Sequence, residues 1–123
     1  MKYMLLIHLD EKAWAELGPE RREQIMADSR PHVERLRAEG KFLDGCPLAP
    51  SSTGTILRLR DGKPVVTDGP YAETREQVGG YSLIEAGSQE EVVAMAKSFL
   101  GSRSIATIEV RRLADTREPE KSS

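Results

Sequence analysis

Acid–base chemistry near neutral pH needs an imidazole, and this chain has two, His8 and His32. Ile25, Ser29, His32 and Leu36 share one face of a helical stretch, provided the phase survives Pro31. That phase turns His32 inward, either as a core histidine bonded to a backbone carbonyl or as the reactive group of an enclosed site. Asp10 closes the first strand pattern, where a carboxylate caps a helix or lines a pocket. A carboxylate hydrogen-bonded to an imidazole fixes its tautomer and raises its basicity. A helix that packs back over the strand before it can bring these two together. His32 and Asp10 are therefore the candidate catalytic pair, with His32 as acid or base and Asp10 orienting it.

Four further residues are candidates for contact with a ligand. His8 lies on the Met4/Leu6 side of its strand, as a polar strand-end residue or a pocket group. Arg58 shares a strand face with Ile56 and reads as an anion anchor, an interface ion-pair residue or a surface arginine. Asp68 and Tyr71 sit in Asp68-Gly69-Pro70-Tyr71, a turn that is conformational in its own right and is also placed to form a pocket rim. Trp14 either covers a pocket mouth or staples a short turn to the sheet. Cys46 has no activating histidine nearby and reads as a small buried hydrophobe. The phosphate-cradling glycine loop, GxSxG, HExxH and the dinucleotide fingerprint are all missing from the sequence. No cofactor and no metal site are expected.

The elements that must position these side chains follow from periodicity. Lys2 to Leu9 reads as a strand apolar on both faces. A short helical turn over 11–17 follows, with Asp10 as N-cap. A longer helix opens at Gly18-Pro19-Glu20 and stops at Gly40. Pro31 interrupts it, as a kink or a junction of two helices, and the poor capping ability of Arg30 favours the kink. Strands are expected over 42–48, 54–60, 64–67, 81–86 and 105–113, with Asp61-Gly62 turning a hairpin. Ser88 and Glu91 form a capping box before the stripe Val92, Met95, Ala96, Phe99. The order is an α+β, ferredoxin-like βαββαβ with an inserted β-hairpin. It gives one domain over 1–113 and a polar, disordered tail over 114–123.

Composition narrows the function classes. With 18 basic and 20 acidic residues the chain is near neutral, which argues against direct nucleic acid binding. No apolar run approaches a membrane span, and the apolar N-terminal stretch is too short for a signal peptide. One cysteine excludes an internal disulfide and points to a reducing, cytoplasmic setting. Two helices cover only one face of a sheet. Tyr3/Leu5/Ile7 and Met4/Leu6 nevertheless make both faces of the first strand apolar, and Tyr81/Leu83 against Ile84/Ala86 repeat the pattern. A second copy across a two-fold axis is the simplest cover, so a homodimer closing into an α+β barrel is expected.

The string Thr67-Asp68-Gly69-Pro70-Tyr71-Ala72-Glu73-Thr74-Arg75-Glu76-Gln77-Val78-Gly79-Gly80-Tyr81 resembles the signature of the DGPF subgroup of YCII-related proteins, with Tyr71 where phenylalanine is usual. MKYMLLIH at the start and GKFLDGCPLAP at 40–50 fit the same family, and the match spans roughly residues 1–113. The resemblance implies a dimeric α+β barrel of ferredoxin-like protomers. It also implies a His–Asp pair in a cleft, onto which His32 in His32-Val33-Glu34-Arg35-Leu36 and Asp10 map. One relative of the wider group is a dehydrochlorinase of a chlorinated aromatic, and DGPF domains also occur with extracytoplasmic-function sigma factors. The expected function is thus an unknown small molecule held in a pocket, with cofactor-independent elimination, isomerisation or hydrolysis. The alternative is a ligand-binding or regulatory module associated with a sigma factor.

Overall fold

The computed structural model describes residues 1–101 and 105–115. β1 (Lys2–Leu9) leads into α1 (Glu11–Glu16) and α2 (Pro19–Ala38). β2 (Phe42–Pro47), a 3₁₀ turn at Ser51–Thr53, and the hairpin β3 (Thr55–Arg60) and β4 (Lys63–Asp68) follow. β5 (Gln77–Glu85), α3 (Gln89–Leu100) and β6 (Ala106–Arg112) complete the chain order. The main sheet runs β2-β5-β1-β6 with antiparallel neighbours, which is the ferredoxin-like order, and β3 and β4 form a separate two-stranded sheet.

The expected elements recur, with instructive differences. Asp10 Oδ1 accepts from the Ala13 N–H at 3.0 Å, the N-cap its position implied. α2 is one helix with Pro31 inside it, not two. Ser88 caps α3, but Glu91 reaches back to the Gly87 N–H at 2.9 Å, one residue beyond the usual capping-box partner. The Asp61-Gly62 turn has φ of 52° and 77°, the left-handed pair a tight hairpin requires. β5 begins four residues before the expected strand and runs straight through Gly79-Gly80. Residues 114 and 115 carry no regular structure, and the rest of the expected tail, 116–123, lies outside the described residues.

The core sits on one face of the sheet. Tyr3 and Leu5 of β1, Phe42 of β2 and Ile84 of β5 pack against Leu36 of α2 and Val92, Met95 and Ala96 of α3. Cross-strand register puts Ile84 between Tyr3 and Phe42, so the buried set is continuous across three strands. Among the described residues, the other face carries no helix. Met4 and Leu6 of β1 and Tyr81 and Leu83 of β5 stand there half-buried.

Two bulges set which side chains reach which face. On β5, Ile7 opposes Gly80 while His8 opposes Val78, so Gly79 is the extra residue. On β2, Phe42 opposes Ile84 while Asp44 opposes Leu83, so Leu43 is the extra one. Strict alternation from the buried Phe42 would have pointed Cys46 inward. The bulge turns it to the open face opposite Tyr81, and Cys46 is exposed rather than buried.

The inserted hairpin lacks support beneath it. Leu57, Leu59 and Val66 are 68%, 74% and 63% exposed. Leu5→Ala should therefore lower unfolding free energy by about 2–5 kcal/mol. Leu59→Ala should stay within about 0.5 kcal/mol of the parent. Urea denaturation of the two variants checks the contrast.

Candidate functional site

Two concavities flank the C-terminal end of β1. The first is a cavity of about 270 Å³ between α2 and the helix-covered face of the sheet. Its floor is Leu5, Ile7 and Leu9 with Ala106 and Ile108; its roof is Met26, Ser29 and Val33 of α2; Trp14, Phe42 and Phe99 close its sides. The room comes from small residues where the sheet is built from Gly45, Gly80, Ser82 and Ala106. A Cβ on Gly45 would lie 2.6 Å from the Tyr81 carbonyl oxygen and 2.8 Å from Phe42 Cζ, so this position takes no side chain. Arg37 reaches the cavity from α2, its guanidinium carbon 5.1 Å from the centre of the Phe42 ring.

His32 stands beside this cavity. Its ring meets Phe99 edge-on, with centroids 6.4 Å apart, and its buried Nδ1 has no hydrogen-bond partner among the described residues. The inward orientation expected from helical phase holds, but no backbone carbonyl of the described residues takes up that nitrogen. A partnerless buried polar atom is uncommon and costly unless something else pairs with it.

The second concavity is an open cleft of about 800 Å³ lined by His8, Asp10 and residues 71–78 except Glu73. The structure gathers three expected residues here: His8, Asp10 and Tyr71. Arg58 joins through Tyr71, its guanidinium carbon 5.5 Å from the ring centre. Asp68 sits apart, exposed at the base of the hairpin opposite Thr55.

Asp10 and His32 do not meet. One Asp10 carboxylate oxygen accepts from the Ala13 N–H and the other from Arg75 Nε at 3.2 Å. Those two interactions, the backbone hydrogen bond first, hold its carboxyl below its ordinary pKa. The imidazole–carboxylate pair that the structure does form is His8 with Glu109, Nε2 to Oε1 at 2.8 Å across β1 and β6. This contact orients the imidazole on the open face, with Nε2 turned to the carboxylate.

Sequence reasoning missed Glu109 and Arg75. Glu109 neighbours Leu6 on β1, one step diagonally from His8, and only the strand pairing reveals it. Arg75 lies inside the signature string, yet nothing in the string says that its partner is Asp10. On the open face the Cys46 hydrogen bond, followed by the Asp44 charge, pushes the Tyr81 phenol up. Among the described residues, no group of three or more His, Cys, Asp or Glu is placed to hold a metal ion. No described helix is long and apolar enough to cross a membrane.

Known proteins share this sequence and fold. The family model described as YCII-related domain matches residues 1–114. An uncharacterised protein of Rhizobium meliloti is 32% identical over 115 residues, covering 93% of each chain. The 5-chloro-2-hydroxyhydroquinone dehydrochlorinase of Burkholderia phenoliruptrix, solved with 2,5-dihydroxybenzoquinone, superposes with a TM-score of 0.56. The superposition covers 95% of this chain and 97% of that one at 16% identity, a likeness of fold.

Asp10 supplies a pH test of the signature contact. A carboxylate whose folded pKa is depressed stabilises the fold above its unfolded pKa and loses that contribution as pH falls through the folded one. Asp10→Asn keeps a capping oxygen but cannot titrate. Its stability should therefore fall less steeply than the parent's between about pH 5 and pH 2, as urea midpoints at each pH will show.

Proposed function

The chain belongs to the YCII-related family, and on that premise we propose that it binds a small single-ring organic molecule in the cavity between α2 and the sheet and performs cofactor-independent acid–base chemistry there through His32. The observation that carries this reading is the cavity itself. An apolar cavity of about 150 Å³ takes up benzene, so 270 Å³ suits one ring with a few substituents. Trp14, Phe42 and Phe99 offer aromatic walls, Arg37 offers a cation, and His32 Nδ1 is an unused hydrogen-bonding atom behind Phe99. The dehydrochlorinase that shares the fold is known with a ligand of this size class, 2,5-dihydroxybenzoquinone. Asp10 acts at a distance from His32, by fixing α1 and the signature segment.

The His8–Glu109 pair supports a second reading, in which the acid–base step occurs in the open cleft. Tyr71 then belongs to its rim, with Arg58 stacked on it. The functional unit in either reading is a homodimer, with the half-buried Met4, Leu6, Tyr81 and Leu83 of one protomer covered by those of a second.

The wild-type protein should bind 2,5-dihydroxybenzoquinone saturably, and Ala106→Trp should abolish binding without loss of circular dichroism. Chloride release from 5-chloro-2-hydroxyhydroquinone tests the chemistry. His32→Gln should cost at least about a hundredfold in rate while binding changes little. If His8→Gln alone removes the activity, the open cleft is the site. Sedimentation equilibrium should show a dimer that Leu6→Glu dissociates; a wild-type monomer at micromolar concentration would remove the dimer from the proposal.

A further inference from the structure

The cavity has one wall that the core does not hold. α1 is six residues long, and none of them is fully buried. Besides the backbone bond from the Asp10 N–H to the Ile105 carbonyl at 3.0 Å, its position is set by polar contacts at three corners. At the N-terminal corner, Asp10 Oδ2 accepts from Arg75 Nε at 3.2 Å. One residue on, the Glu11 carboxylate accepts the Ser51 N–H at 2.7 Å and also the Ser51 hydroxyl. At the far corner, an Arg22 Nη of α2 donates to the carbonyls of Ala15 at 2.9 Å and Trp14 at 3.3 Å. Between these corners Trp14 forms part of the cavity wall.

The connection to α2 is Gly18, with φ of +84° and open space where a side chain would be. Its backbone conformation selects glycine. The tethers are also weak by nature. Arg75 is 89% exposed, and an ion pair in water contributes little. Swinging α1 outward breaks polar contacts that water can replace and uncovers the cavity, but it leaves Ile84 and Val92, among the most deeply buried side chains and outside the cavity lining, in place.

We infer that α1 is a lid on the cavity: a short helix hinged at Gly18 that carries Trp14 as a wall and is held shut by Asp10–Arg75, Glu11–Ser51 and the Arg22 contacts. The inference rests on reading the cavity as a ligand site. It gives Arg75 of the signature segment a positioning role, because that guanidinium holds the first turn of the helix that bears Trp14. A one-ring molecule enters when α1 swings out and is shielded from water when it returns.

Trp14 is the only tryptophan in the sequence, so its fluorescence follows the lid with no ligand present. Acrylamide quenching of the full-length protein should strengthen about two- to fivefold in an Arg75→Gln/Ser51→Ala variant, the factor that loss of one surface ion pair is worth. In stopped-flow with 2,5-dihydroxybenzoquinone, the same variant should bind and release faster, with both rate constants rising together. Quenching equal to wild type overturns the lid, whether or not the urea midpoint falls, because a purely structural tether would lower the midpoint alone. Binding to wild type with unchanged rates in the variant overturns the lid and leaves the proposed function standing. Stronger quenching in the variant with no binding of the quinone to either protein supports the lid and counts against the cavity as a site for that ligand class.

Discussion

A four-stranded sheet has two faces, and α2 and α3 both pack on the same one. The consequences run through the whole molecule. Tyr3, Leu5, Phe42 and Ile84 are sealed against Leu36, Val92, Met95 and Ala96, and this contact fixes the strand register. The uncovered face keeps Met4, Leu6, Tyr81 and Leu83 half-exposed and holds the His8–Glu109 pair between water and apolar surface. A slip of one residue in β1 would exchange these two sets and destroy both the core and the pair.

The cavity is the complement of that core. Where α3 meets the sheet, Val92 and Ile84 leave no room. Toward the C-terminal end of β1 the sheet turns to Gly45, Gly80, Ser82 and Ala106, and α2 bridges the gap without filling it. Native interiors are close-packed, so a space of this size between well-ordered elements is a feature that the sequence maintains. The glycine pair at the end of the signature contributes twice. Gly79 forms the bulge that sets Val78 opposite His8, and Gly80 lines the cavity where a Cβ would press to 3.2 Å from the Cys46 carbonyl oxygen.

The cavity's walls differ in how they are held. Its floor and roof stand on the strands and helix that carry the core, whereas α1 is kept in place by Asp10, Glu11 and Arg22 through exposed or part-buried polar contacts. The division of labour is physically coherent: apolar packing gives rigidity where geometry must be constant, and solvent-exchangeable contacts allow movement where a ligand must pass. The signature segment belongs mainly to the second class, since Arg75 touches α1 and Gln77 closes its own loop through the Ala72 and Thr74 carbonyls.

The sequence by itself determined every strand and α-helix of the fold, because strand alternation, helical phase and cap chemistry are local and survive in one dimension. It also determined Asp10 as an N-cap and turned His32 inward, both consequences of position within a single element. Tertiary structure decided what those residues meet. Leu43 and Gly79 each add one residue to a strand, and each reverses the facing of the later residues on its own side of the ladder. That is why Cys46 is exposed, and no local pattern announces a bulge. His8 found Glu109, 101 residues away, and Asp10 found Arg75, 65 residues away. Such partners are chosen by strand pairing and loop closure, which depend on where the whole chain can pack. The sequence therefore supplied the reactive groups, and only the fold decided how they are paired.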